Sequence, residues 1–171
     1  MRKVLQDYFF NRSTLRVARE LLGKFLVRRY GRRIIYGIIT EVEAYVGPKD
    51  KASHASRGKT ERTKVMFGKS GHWYVYLIYG MHNCLNIVTE KENYPAAILI
   101  RSVGDVKGPG RVCRYFKIDK SFNAKPANKK TGLWIEDRGI RINPSKIKQG
   151  KRIGVEYAGK CKDKPWRFYL G

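Results

Sequence analysis

Apolar and polar positions recur with enough regularity to divide this chain into elements. Leu15, Ala18, Leu21 and Leu22 return at three- and four-residue spacing behind Ser13-Thr14. That pattern predicts a short helix capped by Ser13 or Thr14 and stopped at Gly23. Phe25 to Tyr30 reads as a strand, Tyr30-Gly31-Arg32 as a turn, and Ile34 to Tyr45 as a longer strand. Strand side chains alternate between faces, so Glu41, Glu43 and Tyr45 share one side while Val42 and Ala44 take the other. Gly47-Pro48 ends that strand, and a polar, basic loop follows from Lys49 to Lys64. Trp73 to Ile78 is the next strand, turned back through Tyr79 to Asn83 into Cys84 to Val88. Pairing Ile78 with Cys84 sets Tyr76 opposite Asn86 on one face and leaves Tyr79 at an exposed tip. Within a strand over Pro95 to Val103, Ala96 to Ile100 is almost wholly apolar and is expected to be buried on both faces. Gly108-Pro109-Gly110 opens a second short helix with Val112, Tyr115 and Phe116 as its apolar stripe, and Lys117 to Lys130 reads as loop. Further short β-like runs are Leu133 to Glu136, Ile140 to Asn143, Ile153 to Tyr157 and Trp166 to Leu170. No repeat or linker divides the chain.

Composition adds scale and charge. At 171 residues the length fits one domain that buries a real core. Hydrophobic residues make up 42% and aromatics 12%, which excludes a chain too polar to offset its own entropy. With 37 Lys and Arg against 14 Asp and Glu, the formal net charge is +23. So large an imbalance favours a polyanionic partner, although charge alone does not choose among DNA, RNA and an acidic membrane surface. No run approaches the ~20 apolar residues that span a bilayer, and the N-terminus lacks the apolar core of a signal peptide. Cys84, Cys113 and Cys161 form no C-x-x-C pair and read as thiols of a reducing compartment. The histidines form no H-x-x-x-H, so neither a metal nor another cofactor is expected.

Residues able to do chemistry gather between Thr40 and Asn86. Two carboxylates and a ring on one side of a strand are poor core material and point to a wet or ligand-filled cleft. His54 lies in the loop just beyond, and Trp73, Tyr74, Tyr76 and Tyr79 crowd the following strand and turn. A carboxylate beside several flat rings in a basic protein suggests a pocket for a flat aromatic ligand. Trp73 and Tyr74 are expected in the sheet core. Tyr79, placed at a turn, has no core to enter.

The runs EVEAYVGPKDKASHASRGKTERT, VMFGKSGHWYVYLIYGMHNCLNIV and PAAILIRSV resemble the alkyladenine (3-methyladenine) DNA glycosylase family. LLGKFLVRR, GPGRVCRYFKI and RIGVEYAG…KPWRFYLG extend the resemblance, in order, over nearly the whole chain. It implies an α/β fold of the α+β type: a single domain with a curved, mainly antiparallel sheet, flanking helices and a protruding hairpin. By position, Glu43 matches the family's water-activating base, and Arg101 its basic residue near the catalytic water. Tyr45, His54 and Tyr76 match the residues that stack around a flipped base. Tyr79 matches the ring that enters the duplex in its place, and Asn86 the residue that crowds the 2-amino group of guanine. The chain departs from the family pattern at Thr60-Glu61-Arg62-Thr63, where Thr-Pro-Arg-Asn is usual, and at Gly104-Asp105, where an acidic residue and proline are usual.

The implied activity is base excision repair. An alkylated or deaminated purine (3-methyladenine, hypoxanthine or 7-methylguanine) is flipped from duplex DNA and its N-glycosidic bond hydrolysed, leaving an abasic site. The enzyme is expected to be monofunctional, monomeric and intracellular, with damaged double-stranded DNA rather than a membrane as its partner. A single ionised carboxylate suits both tasks of such a reaction, deprotonating water and stabilising an oxocarbenium-like sugar. Glu41, about 6.6 Å along the same face by strand rise, is expected to support Glu43. Arg57, Lys59, Arg62, Lys64 and Lys69 are candidates for phosphate contacts. The competing expectation is a non-catalytic basic nucleic-acid-binding protein with the same charge and aromatics.

Overall fold

The computed structural model describes residues 2–171. Its centre is a sheet of ten strands, joined antiparallel at every pairing. In chain order they are β1 (Lys3–Val4), β2 (Phe25–Tyr30), β3 (Arg33–Val46), β4 (Trp73–Ile78), β5 (His82–Val88), β6 (Ala96–Val103), β7 (Val106–Lys107), β8 (Leu133–Asp137), β9 (Ile147–Gly150) and β10 (Arg167–Leu170). The helices are α1 (Asp7–Phe10), α2 (Thr14–Leu21) and α3 (Pro109–Tyr115). The main path of the sheet runs β1-β8-β2-β3-β6-β5-β4, with β10 added to β3, β9 to β10 and β7 to β6. This is the expected α+β architecture. No helix among the described residues is long and apolar enough to cross a membrane.

β3 is the spine. Its 14 residues pair with β2 through Arg33–Ile38, then with β6 and β10 from Ile39 onward, so one strand joins both halves of the sheet. Two register irregularities interrupt β3 and β6: Thr40 is passed over between Ile39 and Glu41, and Arg101 between Ser102 and Ile100. Such bulges bend a strand and re-aim a side chain. Here both fall beside Glu41.

One face of the sheet carries the main core. Val42, Ala44, Trp73, Val75, Leu85, Ile87, Ile98 and Ile100 pack with Val17, Ala18 and Leu21 of α2 and Val112, Cys113 and Phe116 of α3. The opposite face is covered locally by a second cluster, in which Ala55, Val65 and Met66 pack against Tyr74, Val88 and Ala97. β6 is therefore buried on both sides, as its apolar run requires.

Several local expectations change. Ser13 takes the N-cap position of α2 but its side chain makes no capping bond. Thr14 instead ties the helix to the β5–β6 connection through Thr89 at 3.0 Å and Glu90 at 2.9 Å. In α3, Cys113 joins Val112 and Phe116 in the core while Tyr115 is exposed, because a two-turn helix buries only the narrow face centred on Val112. Ile140 to Asn143 and Ile153 to Tyr157 are not strands; positive φ at Gly154 breaks the second run. β1 and β9 were absent from the sequence pattern, being two and four residues long.

The β4–β5 hairpin is tighter than expected. Ile78 pairs with His82, Tyr76 with Cys84 and Tyr74 with Asn86, two residues out of the anticipated register. A two-residue shift preserves the face, so Tyr76 and Asn86 remain on one wall as diagonal rather than direct neighbours. The turn closes through the Met81 N–H donating to the Ile78 carbonyl at 3.1 Å, with positive φ at both Tyr79 (52°) and Gly80 (64°). Positive φ at both central positions is what a type I′ turn demands.

Candidate active site

Register alone assembles the floor of a cleft. Residues directly opposed across antiparallel strands share a face, and one row runs Arg167, Glu43, Leu99, Asn86, Tyr74 across β10, β3, β6, β5 and β4. Glu43 and Asn86 stand two strands apart, about 10 Å by sheet spacing, with Leu99 between them. Above this row opens a cleft of about 390 Å³ whose lining includes Tyr45, His54, Tyr76, Tyr79, Asn86 and Arg101. Six of the seven residues matched to chemistry or base contact thus converge. The seventh, Glu43, belongs to the floor row but is fully buried, in contact with the lining residues Tyr45, Arg101 and Ile153.

The two carboxylates have different surroundings. Glu43 Oε1 accepts the Ile153 backbone N–H at 2.8 Å, and its Oε2 accepts the Tyr45 hydroxyl at 2.9 Å. Arg101 Nη1 lies 3.4 Å from Oε1. Burial pushes the Glu43 carboxyl above its ordinary pKa, with the Arg101 charge, the Ile153 N–H and the Tyr45 hydroxyl opposing that rise. Glu41 is also subject to burial, but bonds from Ser102 at 2.8 Å and Arg167 at 3.1 Å, with the charges of Arg101 and Arg167, bring its pKa below the ordinary value. Arg101 donates to Glu41 as well, at 3.2 Å. Its place in the β6 bulge lets one guanidinium serve both acids. Environments that separate the pKa values of neighbouring carboxyls are how a site assigns them different roles.

The walls are aromatic. His54 and Tyr76 meet edge to face with centroids 4.6 Å apart, and Tyr74 lies 5.3 Å from Tyr76. His54 Nδ1 is 3.1 Å from the Tyr74 hydroxyl. Tyr74 is buried as expected, yet it also lines the cleft and orients His54. Burial, helped by the Arg62 charge, lowers the His54 pKa to about 4, so its ring is neutral at pH 7. The Arg62 guanidinium itself lies over the Tyr76 ring, 5.3 Å from its centroid. Asn86 is buried, and its Nδ2 donates to the carbonyls of Tyr74 at 3.1 Å and Cys84 at 3.4 Å. Tyr79 is 88% exposed at the hairpin tip, flanked by exposed Leu77 and Met81.

The basic candidates separate. Arg57 and Arg62 line a second groove that adjoins the cleft through Ser53, His54, Arg62 and Tyr157. Lys64 is paired with Glu61 at 2.7 Å. Lys59 and Lys69 are exposed and line neither opening.

A family model described as Methylpurine-DNA glycosylase (MPG) matches residues 8–107 and 104–171. The chain belongs to this family. Similar proteins include three each named "Putative 3-methyladenine DNA glycosylase". One from Methanocella arvoryzae is 45% identical, covering 97% of this chain and 92% of its own. One from Legionella pneumophila (strain Paris) is 43% identical over 99% and 95%, and one from Clostridioides difficile (strain 630) 36% identical over 97% and 100%.

One wall of the site in this methylpurine-DNA glycosylase family member carries no residue that the sequence marks for chemistry. Ile153, Gly154, Val155 and Tyr157 line the cleft from the C-terminal segment, and Ile153 supplies the N–H that holds Glu43. Their signal was the run RIGVEYAG, which carried family resemblance but no residue type that announces chemistry.

Proposed function

We propose that this DNA glycosylase removes alkylated or deaminated purines from duplex DNA, with residues 1–171 acting as a single catalytic domain. The observation that carries the reading is the floor row. It sets one buried carboxylate about two strands from a buried amide, beneath a cleft walled by aromatic rings. A base inside a duplex is out of reach, so it must be extruded at a cost of a few kcal/mol. Stacking worth about 1–3 kcal/mol per base offsets that cost, with Tyr45, His54 and Tyr76 as the platforms. A neutral His54 does not repel a purine made cationic by alkylation. Tyr79 fills the gap in the stack as a wedge, and Asn86 crowds the 2-amino group that distinguishes guanine.

Glu43 Oε2 retains an acceptor site beyond its bond from Tyr45, which is enough to orient and deprotonate a water aimed at C1′. Before it takes that proton, the anion stabilises the positive charge that builds on the sugar as the base departs. Arg101 and Glu41 support this carboxylate, Arg101 by favouring its ionised form and Glu41 by holding Arg101. Among the described residues lining the cleft there is no lysine, which fits hydrolysis by water rather than by a protein amine.

The test is a duplex bearing one hypoxanthine or 3-methyladenine, incubated with protein and then hot alkali. Strand scission with wild type that drops by at least about a thousandfold in Glu43→Gln is expected. Binding without scission by folded wild-type protein would instead establish the non-catalytic alternative. Because burial raises the Glu43 pKa, its ionised form costs stability at pH 7 and this cost vanishes at low pH. The thermal midpoint of Glu43→Gln at pH 7 is therefore expected to hold or rise, which separates lost chemistry from lost fold.

A further inference from the structure

Arg152 joins three chain segments that build the cleft, yet the proposed reaction uses none of its atoms. Its side chain is fully buried with that of Asp50, to which it donates at 2.6 and 2.8 Å. It also donates to the Ala44 carbonyl at 2.8 Å and the Cys161 carbonyl at 3.0 Å. Its guanidinium lies 4.9 Å from the Tyr45 ring centroid. Asp50 in turn accepts the backbone N–H groups of Val46 at 3.1 Å and Ala52 at 3.2 Å. Of the guanidinium nitrogens of Arg152 only Nε has no partner. Withdrawing a guanidinium from water is costly unless such bonds surround it, and a phosphate contact needs it outside.

The placement of these bonds is specific. The residue after Arg152 is Ile153, whose N–H holds Glu43 Oε1. Ala44, whose carbonyl Arg152 grips, stands between Glu43 and Tyr45 on β3, and the Tyr45 hydroxyl holds Glu43 Oε2. One guanidinium thus fixes both partners of the carboxylate.

We propose that Arg152, braced by Asp50, is a positioning residue for Glu43: it sets the Ile153 N–H and the Tyr45 ring around the carboxylate and so fixes its orientation and its readiness to ionise. The proposal rests on the assignment of Glu43 as the base. The other groups facing Glu43 are Arg101 from β6, Glu41 from its own strand, and Tyr76 and Cys84 from the β4–β5 hairpin. Arg167, opposite on β10, is engaged by Glu41. Losing the Ile153 N–H removes an influence that favours the ionised form and leaves burial in place. Glu43 then titrates at higher pH.

The experiment compares wild type with Arg152→Lys, Arg152→Gln and the double variant Asp50→Asn/Arg152→Gln. The double variant leaves no uncompensated buried charge and keeps the test available if the single glutamine variant does not fold. Single-turnover excision from hypoxanthine-containing duplex is followed across pH, alongside binding to undamaged duplex. The glutamine variants are expected to lose about ten- to a hundredfold in rate at pH 7. Their acid limb moves up by about half a unit to one unit, with undamaged-duplex binding within about twofold of wild type. Arg152→Lys restores part of the rate. A folded glutamine variant with the wild-type acid limb overturns the proposal, as does a parallel fall in rate and undamaged-duplex binding. Carbon-13 NMR titration of the Glu43 carboxyl without DNA reads the same displacement. Should wild type excise neither lesion, that titration still decides whether Arg152 controls Glu43, so the two failures are distinguishable.

Discussion

At the scale of single residues, the site depends on charge states set by what each group touches. His54 shows this best. Its sequence surroundings are polar and basic, yet the fold places it in contact with Tyr74 and Tyr76 and within the influence of Arg62. Burial first, and the Arg62 charge second, lower its pKa to about 4, so the folded protein keeps a neutral imidazole across the physiological range. Proton NMR of the ring is therefore expected to show no titration between pH 5 and 8. Arg62→Ala should raise the midpoint while leaving it below the ordinary histidine value of about 6.5, because burial persists. A wild-type midpoint near that ordinary value would refute this account of the pocket wall. Residues with an evident chemical type, such as Glu43, His54 and Arg101, were legible in the sequence by motif. Asp50, Arg152 and Ile153 were not. Arg152 pairs with an acid about a hundred positions away, and nothing in a chain so rich in arginine marks the one that folds inward.

At the scale of elements, apolar and aromatic runs bounded by polar turns located the central strands well. Trp73–Ile78 and the apolar run in β6 are read directly from that pattern. Register is a subtler quantity. The expected five-residue turn of the hairpin becomes a shorter one, since Tyr79 adopts positive φ and lets Ile78 pair with His82. No propensity argument assigns that conformation to a tyrosine, for which it is strained. The strain has a consequence. It holds an 88%-exposed ring outward at the tip, as the proposed wedge role requires. Tyr79→Gly should relieve the backbone and raise the thermal midpoint slightly, by an amount on the order of 1 kcal/mol in stability. The same variant should release hypoxanthine-containing duplex at least about tenfold more readily, with binding to undamaged duplex nearly unchanged. Equal weakening of both would make Tyr79 a general contact rather than a wedge. The two β-like runs that proved not to be strands, Ile140 to Asn143 and Ile153 to Tyr157, have apolar content but join no sheet. The second is held instead by the site it helps to build, through Ile153 on Glu43 and Val155 beside Ala52 and Ala158.

At the scale of the whole molecule, a formal charge of +23 favours association with DNA wherever the duplex meets the surface, but counterion release is counted only at phosphates actually neutralised. The geometry divides the basic residues accordingly. Arg57 lies in the groove that continues from the cleft, a path open to the strand that carries the base in the proposed reaction. Lys69 is as exposed to solvent in class but lies outside both openings. If net charge alone governed binding, neutralising either would act alike. If the groove carries the strand, the two differ: Arg57→Ala should flatten the plot of log affinity against log salt by about 0.9, the loss of one phosphate contact on B-DNA. Lys69→Ala should leave that slope at its wild-type value and change affinity only through the diffuse field, an effect that fades as salt shortens the Debye length. Fluorescence anisotropy on an undamaged duplex over a range of salt concentrations measures both slopes. Equal flattening by the two variants would place the DNA path across a wider face than the groove defines.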